Sequence, residues 1–224
     1  MTETNATGYG DDRYFTRLAA AFVRGKVSGL STDLSCEELI RIGLGRGLRL
    51  HKFKRSAELP RVRKVLGILQ GLRPSSLLDI GSGRGAFLWP LLDAFPQLEV
   101  TAVDLNQTRV DDINSVGAGG VFNLRALRMD ASGIDLEDNY VEVVTALEVL
   151  EHLASPERAA IEAVRVAGKF VIASVPSKED DNPEHVQLFD KHGLESLFLA
   201  AGARSVKIDF VLNHMIAVAR VSRS

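Results

Sequence analysis

A chain of 224 residues, 46% hydrophobic and 25% charged, is long enough for one α/β domain with an extension and too short for two comfortable domains. Its single cysteine, Cys36, excludes an internal disulfide framework or a cysteine zinc site, and no apolar run reaches membrane-spanning length. The net charge of −2 conceals an asymmetry: residues 1–72 carry 13 Lys/Arg against 7 Asp/Glu, and residues 73–224 carry 14 against 22.

An acidic domain suits a cationic ligand and a basic extension suits an anionic partner; the plainer reading is that both are solvated surface. The start, Met1-Thr2-Glu3-Thr4-Asn5, has no basic-then-apolar signal, so a reducing, cytoplasmic location without membrane attachment is expected. Residues 1–12 are polar and expected to be disordered. Arg13 to Lys26 reads as an amphipathic helix through Phe15, Leu18, Ala19, Phe22 and Val23. Ser35-Cys36-Glu37-Glu38 forms a capping box for a second helix along Leu39, Ile40 and Ile42, which Gly43, Gly45 and Gly47 are expected to break. The most basic run follows, from Arg46 to Lys64, with only Glu58 in opposition. With His51 and Phe53 inside it, this 46–64 segment is a candidate RNA contact, the aromatic ring serving for stacking; the other reading is the exposed side of helices packed over a ligand site. Pro60 suits the first position of a helix ending near Leu72. Residues 1–72 thus read as a helical extension or cap, and 73–224 as the main domain.

Leu77-Leu78-Asp79-Ile80-Gly81-Ser82-Gly83-Arg84-Gly85 is the stretch on which the domain turns. A buried strand, Ser76 to Ile80, runs into a glycine loop, and a helix with Phe87, Leu88, Leu91, Leu92 and Phe95 on one side comes next. Such a unit cradles a ligand, because glycines permit close backbone approach and a helix start offers free N–H groups. The loop also satisfies the loose dinucleotide pattern G-x-G-x-x-A. Asp79 discriminates: a buried carboxylate there repels a pyrophosphate and suits a ligand that brings its own cation, such as an α-amino group or a sulfonium.

Leu98 to Asp104 reads as the second strand, with Asp104 placed to accept from both ribose hydroxyls, and Asn106 beside it. A helix from Gln107 to about Asn114 and a turn at Gly117-Ala118-Gly119-Gly120 follow. Phe122 to Met129 is the third strand, with Asp130 just beyond. Val141 to Leu147 is an apolar fourth strand, fit for the centre of a parallel sheet, and Glu148-Val149-Leu150-Glu151-His152 stands at its carboxyl end. Ser155-Pro156 starts a helix to Val166. Lys169 to Val175 is the fifth strand, and Lys178 to Pro183 a charged loop. Asp190 caps a helix that Gly202 stops. Ala203 to Phe210 and Met215 to Val221 close the chain as a hairpin.

Residues 75–221 resemble the class I, Rossmann-like S-adenosylmethionine-dependent methyltransferases, on Asp79-x-Gly81-x-Gly83-x-Gly85, Asp104, Asp130 and the Glu-Val-Leu-Glu-His segment in that order. The resemblance implies a seven-stranded α/β sheet of order 3-2-1-4-5-7-6, last strand antiparallel, with helices on both faces. It implies S-adenosylmethionine as cofactor, held by Asp79, Gly81, Ser82, Gly83, Gly85, Asp104, Leu105, Met129, Asp130, Ala131 and Leu147. In the family the Asp130 acid accepts from the adenine amino group, with the preceding Met129 against the ring. The Glu148–His152 stretch is similar to the branch that includes O-methyltransferases of quinone biosynthesis and of small RNA. It implies O-methylation of a small molecule or a nucleic-acid hydroxyl, with His152, His185 and Glu148 as catalytic candidates. Metal-dependent RNA 2′-O-methyltransferases use a Glu-x-x-Glu-His set with a later His. By that likeness Glu148, Glu151, His152 and His185 form a candidate Mg²⁺ or Mn²⁺ site; if the segment is helical, the first three share one face. The readings kept beside this are a catalytically silent cofactor-binding or sensor subunit and an NAD-dependent oxidoreductase.

Overall fold

The computed structural model describes residues 15–55, 59–178 and 182–221. The polar segment 1–12, the acid Glu58 and the middle of the charged 178–183 loop lie outside those residues. Helix α1 (Thr16–Lys26) buries Leu18, Ala19, Phe22 and Val23, the face its periodicity predicts. Helix α2 (Cys36–Gly45) starts with the expected capping box: Ser35 Oγ accepts from the Glu38 N–H at 3.2 Å, and Glu38 Oε2 accepts from the Ser35 N–H at 2.8 Å. The helix ends at Gly45, and Gly47 takes a left-handed φ of 77°, so the break falls among the expected glycines while Gly43 stays inside the helix. A Cβ there would lie 2.5 Å from Val23 Cγ2, so the glycine makes room for α1.

The basic run divides: Phe53 turns into the core and Lys52, Arg61 and Lys64 are half-buried, while Arg46, Arg49, Lys54, Arg55 and Arg63 are exposed. His51–Phe53 is a short 3₁₀ turn that plunges Phe53 into the core, with Phe22 at 5.2 Å and Trp89 at 4.9 Å between ring centroids. The ring expected to stack on RNA is therefore out of reach of any ligand. Lys52 pairs with Asp112, Arg55 with Asp93 at 2.7 Å, Lys64 with Asp209 at 3.0 Å, and Arg61 stands 3.7 Å from Glu148. These four cations fasten the extension to the sheet domain, which is the packing role that stands as the other reading of the run. Helix α3 (Pro60–Leu72) has its proline in the first turn and buries Val62, Val65 and Leu69.

Seven strands form one sheet: β1 (Ser76–Ile80), β2 (Glu99–Asp104), β3 (Leu124–Arg128), β4 (Val141–Leu147), β5 (Ala167–Pro176), β6 (Ser205–Val211) and β7 (His214–Arg220). Their order is β3-β2-β1-β4-β5-β7-β6, with β7 antiparallel to both neighbours. This is the α/β architecture expected from the resemblance. Helices α4 (Leu88–Ala94), α5 (Gln107–Ala118), α6 (Pro156–Val166) and α7 (Lys191–Ala200) cover the faces. One core lies under α1, α3, α4 and α5, and takes in Leu18, Phe53, Val65 and Trp89. The other lies under α6 and α7, around Val144, Val164 and Phe198. The extension thus shares a core with the sheet instead of forming a separate one.

Some boundaries shift. Helix α5 runs to Ala118, four residues beyond its expected end, because Val116 and Gly117 pack inward. The third strand is shorter than expected, and Phe122 is 87% exposed. Regular helix begins at Leu88, three residues beyond the glycine loop, so α4 offers the loop no immediate helix start. Among the described residues no helix is long and apolar enough to cross a membrane.

Candidate functional site

A cleft of about 570 Å³ opens at the carboxyl edge of β1, β2 and β4. Parallel strands end there together, and their last backbone groups and the loops that follow face one another. Asp79 lies in β1 between Ala102 of β2 and Thr145 of β4. It is buried, and accepts from Ser82 Oγ at 2.7 Å and Thr145 Oγ1 at 2.8 Å. Burial pushes its pKa up to about 6, which the two hydroxyls only partly offset and the nearby Asp104 reinforces.

The glycines have separate duties. At Gly81 (φ 70°) a Cβ would meet Val149 Cγ2 at 2.5 Å, and at Gly85 (φ 87°) it would meet the Trp89 indole at 2.0 Å. Gly85 does not line the cleft. Of the eleven residues expected to hold the cofactor it alone stands back, seating Trp89, whose Nε1–H donates to the Arg84 carbonyl at 2.8 Å. At Gly83 (φ 56°) a Cβ would meet nothing nearer than 3.7 Å, and the residue lines the cleft. Gly85→Ala should therefore lower stability to urea by roughly 2–4 kcal/mol, from left-handed strain plus overpacking. An unchanged midpoint would contradict this account of the loop.

Asp104 closes β2. Its Oδ2 accepts from the Gly83 N–H and its Oδ1 from the Asn106 N–H, both at 2.8 Å, with Arg109 at 3.6 Å. Leu105, Met129, Asp130 and Ala131 line the same end, and Leu105 is 62% exposed over it. One end of the cleft thus joins a carboxylate to apolar walls, as a nucleoside requires.

The other end departs from the helical arrangement considered for Glu148, Glu151 and His152. Only Leu150–His152 forms a 3₁₀ turn, and Glu148 precedes it in a left-handed conformation (φ 57°). Its carboxylate accepts from Ser174 Oγ at 2.8 Å and from His214 Nε2 at 3.0 Å. The other ring nitrogen of His214 meets the Leu212 carbonyl at 3.0 Å. Both partners offer acceptor oxygens, an arrangement that favours the doubly protonated imidazolium form of His214. Its bond to Glu148 raises its pKa against the effect of burial. Burial alone would raise the Glu148 pKa, but His214, Arg61 and Ser174 hold it below the usual glutamate value.

Glu151 is buried, and among the described residues neither of its oxygens has a hydrogen-bond partner. Burial, with the charge of Glu148, pushes its pKa up to about 8. Glu151, His152 and His185 offer ligand atoms that all lie within 4.8 Å of one another; Glu148 is not of that group. The four expected metal ligands are thus three together and one apart. His152 Nδ1 lies 2.9 Å from the Glu184 carbonyl, which fixes the N–H on that nitrogen and leaves Nε2 as an acceptor. His152 lines the cleft, and the His185 ring stands behind it at 4.8 Å between centroids. Sequence reasoning missed Arg61, Ser174 and His214. They come from α3, β5 and the last hairpin, and carry no local pattern that points to the site.

A family model described as "Methyltransferase domain" matches residues 78–172. A curated relative, the malonyl-[acyl-carrier protein] O-methyltransferase of Geobacter sulfurreducens, is 28% identical over 107 residues. The match covers 47% of this chain and only 40% of the relative's length. Among solved structures, a SAM-dependent methyltransferase from Aquifex aeolicus superposes with a TM-score of 0.59 at 24% identity, over 73% of this chain and 91% of that one. The N-terminal domain of EvdMO1, whose structure has SAH bound, gives 0.58 at 16% identity, over 75% and 82%.

Proposed function

We propose that this chain, a class I Rossmann-like methyltransferase by its sheet and by its central segment, transfers a methyl group from S-adenosylmethionine to an oxygen of a small molecule. The observation that carries the reading is Asp79, a buried carboxylate at the cleft floor with only hydroxyl partners, suited to a ligand that supplies an ammonium. Its place beside the open face of Gly83 fits the amino-acid end of S-adenosylmethionine. Arg61, which also lines the cleft, supplies a cation for the carboxylate of that end. Asp104 would accept from the ribose hydroxyls and Asp130 from the adenine amino group, with Leu105 and Met129 against the ring. The relative that methylates an oxygen of a malonyl group supports oxygen as the acceptor atom.

The chemistry asks little beyond alignment, since the sulfonium methyl is already activated. The acceptor hydroxyl gives its proton to His152 Nε2, whose lone pair the Glu184 carbonyl keeps available. The new O–CH₃ bond forms as the S–CH₃ bond breaks, and the neutral thioether leaves. Glu148 is the poorer base, because an imidazolium and a hydroxyl already hold its carboxylate.

The unpartnered Glu151 favours a second reading, in which Mg²⁺ or Mn²⁺ is held by Glu151, His152 and His185. A bound ion would supply a lowered pKa to an acceptor hydroxyl. Asn182 Nδ2 lies 3.0 Å from His185 Nε2, so that amide would have to turn aside. Full activity in chelator, with no metal in the purified protein, would remove this reading.

Calorimetry tests the main reading. Asp104→Ala should weaken S-adenosylmethionine binding by roughly 1.5–3 kcal/mol, the worth of charge-assisted hydrogen bonds. Unchanged affinity, or tight NAD binding instead, would overturn it. Consumption of methyl donor on incubation with cell extract separates an enzyme from a silent sensor.

A further inference from the structure

Among the described residues, four that are not glycine take a left-handed backbone: Arg73, Asn139, Glu148 and Asn213. Of these Glu148 alone lines the cleft. The conformation costs energy to any residue with a side chain, and it persists only where the surroundings hold it. Asparagine tolerates it through its short amide, and Arg73 takes it as the cap that ends α3. Neither account covers Glu148.

Glu148 is held by Ser174 and His214. Its N–H donates to the Ser174 carbonyl at 3.0 Å, and its carboxylate accepts from the hydroxyl of the same serine at 2.8 Å. His214 Nε2 meets the other carboxylate oxygen at 3.0 Å. Arg61, at 3.7 Å, is too far for a hydrogen bond and adds only charge. His214 is itself tied to the end of the sheet. It stands opposite Pro176 in the β5–β7 pairing, its Nδ1 meets the Leu212 carbonyl at 3.0 Å, and the carbonyl of neighbouring Asn213 accepts from the Ser177 N–H at 2.8 Å. Neither Ser174 nor His214 lines the cleft, so each reaches it only through Glu148.

The backbone of Glu148 decides where Val149 goes. Val149 Cγ2 stands 2.5 Å from the point a Cβ of Gly81 would occupy, so the valine presses on the first glycine of the loop. Val149 also lines the cleft, and its carbonyl accepts from the His152 N–H at 3.1 Å. We propose that His214 is a positioning residue of the cofactor cleft: through Glu148 it holds the left-handed turn that keeps Val149 against Gly81. The proposal rests on the methyl-transfer reading above.

The test is calorimetric titration of the full chain with S-adenosylhomocysteine. No binding by the natural chain would remove the methyl-transfer reading and the proposal with it; the variants bear on the proposal alone. Glycine takes a positive φ without strain and alanine does not. Glu148→Gly should therefore bind about five- to thirtyfold more tightly than Glu148→Ala, although both lack the carboxylate. A carboxylate that itself touched the cofactor would be missed equally in both, and equal affinities would overturn the proposal. His214→Leu should weaken binding about tenfold or more. His214→Gln, which can still donate an amide N–H to Glu148, should keep most of the affinity. In the Glu148→Gly background His214→Leu should change nothing further, because its route to the cleft is already gone. A loss there as large as in the natural chain would also overturn the proposal. Should His214→Leu fail to fold, the comparison of glycine with alanine at position 148 decides alone.

Discussion

Asp79→Asn should weaken S-adenosylmethionine binding by roughly thirtyfold to several thousandfold, the usual loss when one partner of a buried, hydrogen-bonded charge pair is removed. Asparagine keeps the volume and can still bond Ser82 and Thr145, so the fold should survive. The carboxyl pKa near 6 in the empty protein adds a second signature. The folded-state value lies above the ordinary 3.8, so the folded protein holds a proton that the unfolded chain has released between those pH values. Stability of the empty protein should therefore fall as pH rises through that window, by roughly 3 kcal/mol in all, and the asparagine variant should lack the fall. An S-adenosylmethionine ammonium held by Asp79 would demand the ionised carboxylate, so affinity should drop about tenfold per unit below pH 6 in the natural chain only. An asparagine variant with full affinity would refute the role of Asp79.

Glu151→Gln should alter the pH dependence of stability even more. With the folded pKa near 8 against an ordinary 4.5, the sign is the same: the stabilising protonated state is complete below about 4.5 and is lost as pH rises through 8. In chelator, the natural chain should lose roughly 3–5 kcal/mol relative to the variant across that window. Parallel curves for the two proteins would mean that the carboxylate is not isolated. Under the metal reading, Mn²⁺ should abolish the loss in the natural chain, because a ligand that binds only the folded, ionised site stabilises it by mass action. It should do nothing for the glutamine variant.

The central strands β1 and β4 were legible because each is a short, mostly apolar run that leads into a turn. Val141–Leu147 was placed to the residue, and Pro60 and Asp190 marked helix starts by ordinary capping chemistry. Asp79, Asp104 and Asp130 were legible as carboxylates at strand ends, where a parallel sheet gathers ligands. What sequence could not supply was the turn after β4. Helical spacing put Glu148 with Glu151 and His152, but a left-handed Glu148 swings toward His214, 66 residues away. Phe53 was misjudged, and the break within 43–47 left unplaced, for a related reason. A glycine reads as a helix breaker and an aromatic in a basic run as a surface platform, until packing against Val23 and Trp89 decides otherwise.

Trp89 is the sole tryptophan of the chain. Its indole touches three things at once: the would-be Cβ position of Gly85, the Arg84 carbonyl of the glycine loop, and the Phe53 ring brought by the N-terminal extension. Its near-ultraviolet emission is thus a single-site optical signal from the seam where loop and extension meet. A ligand that shifted the loop would act on the hydrogen-bonded edge of the ring, and a loss of the Phe53 contact would uncover its face. The chain carries its own spectroscopic gauge of both contacts, without any label.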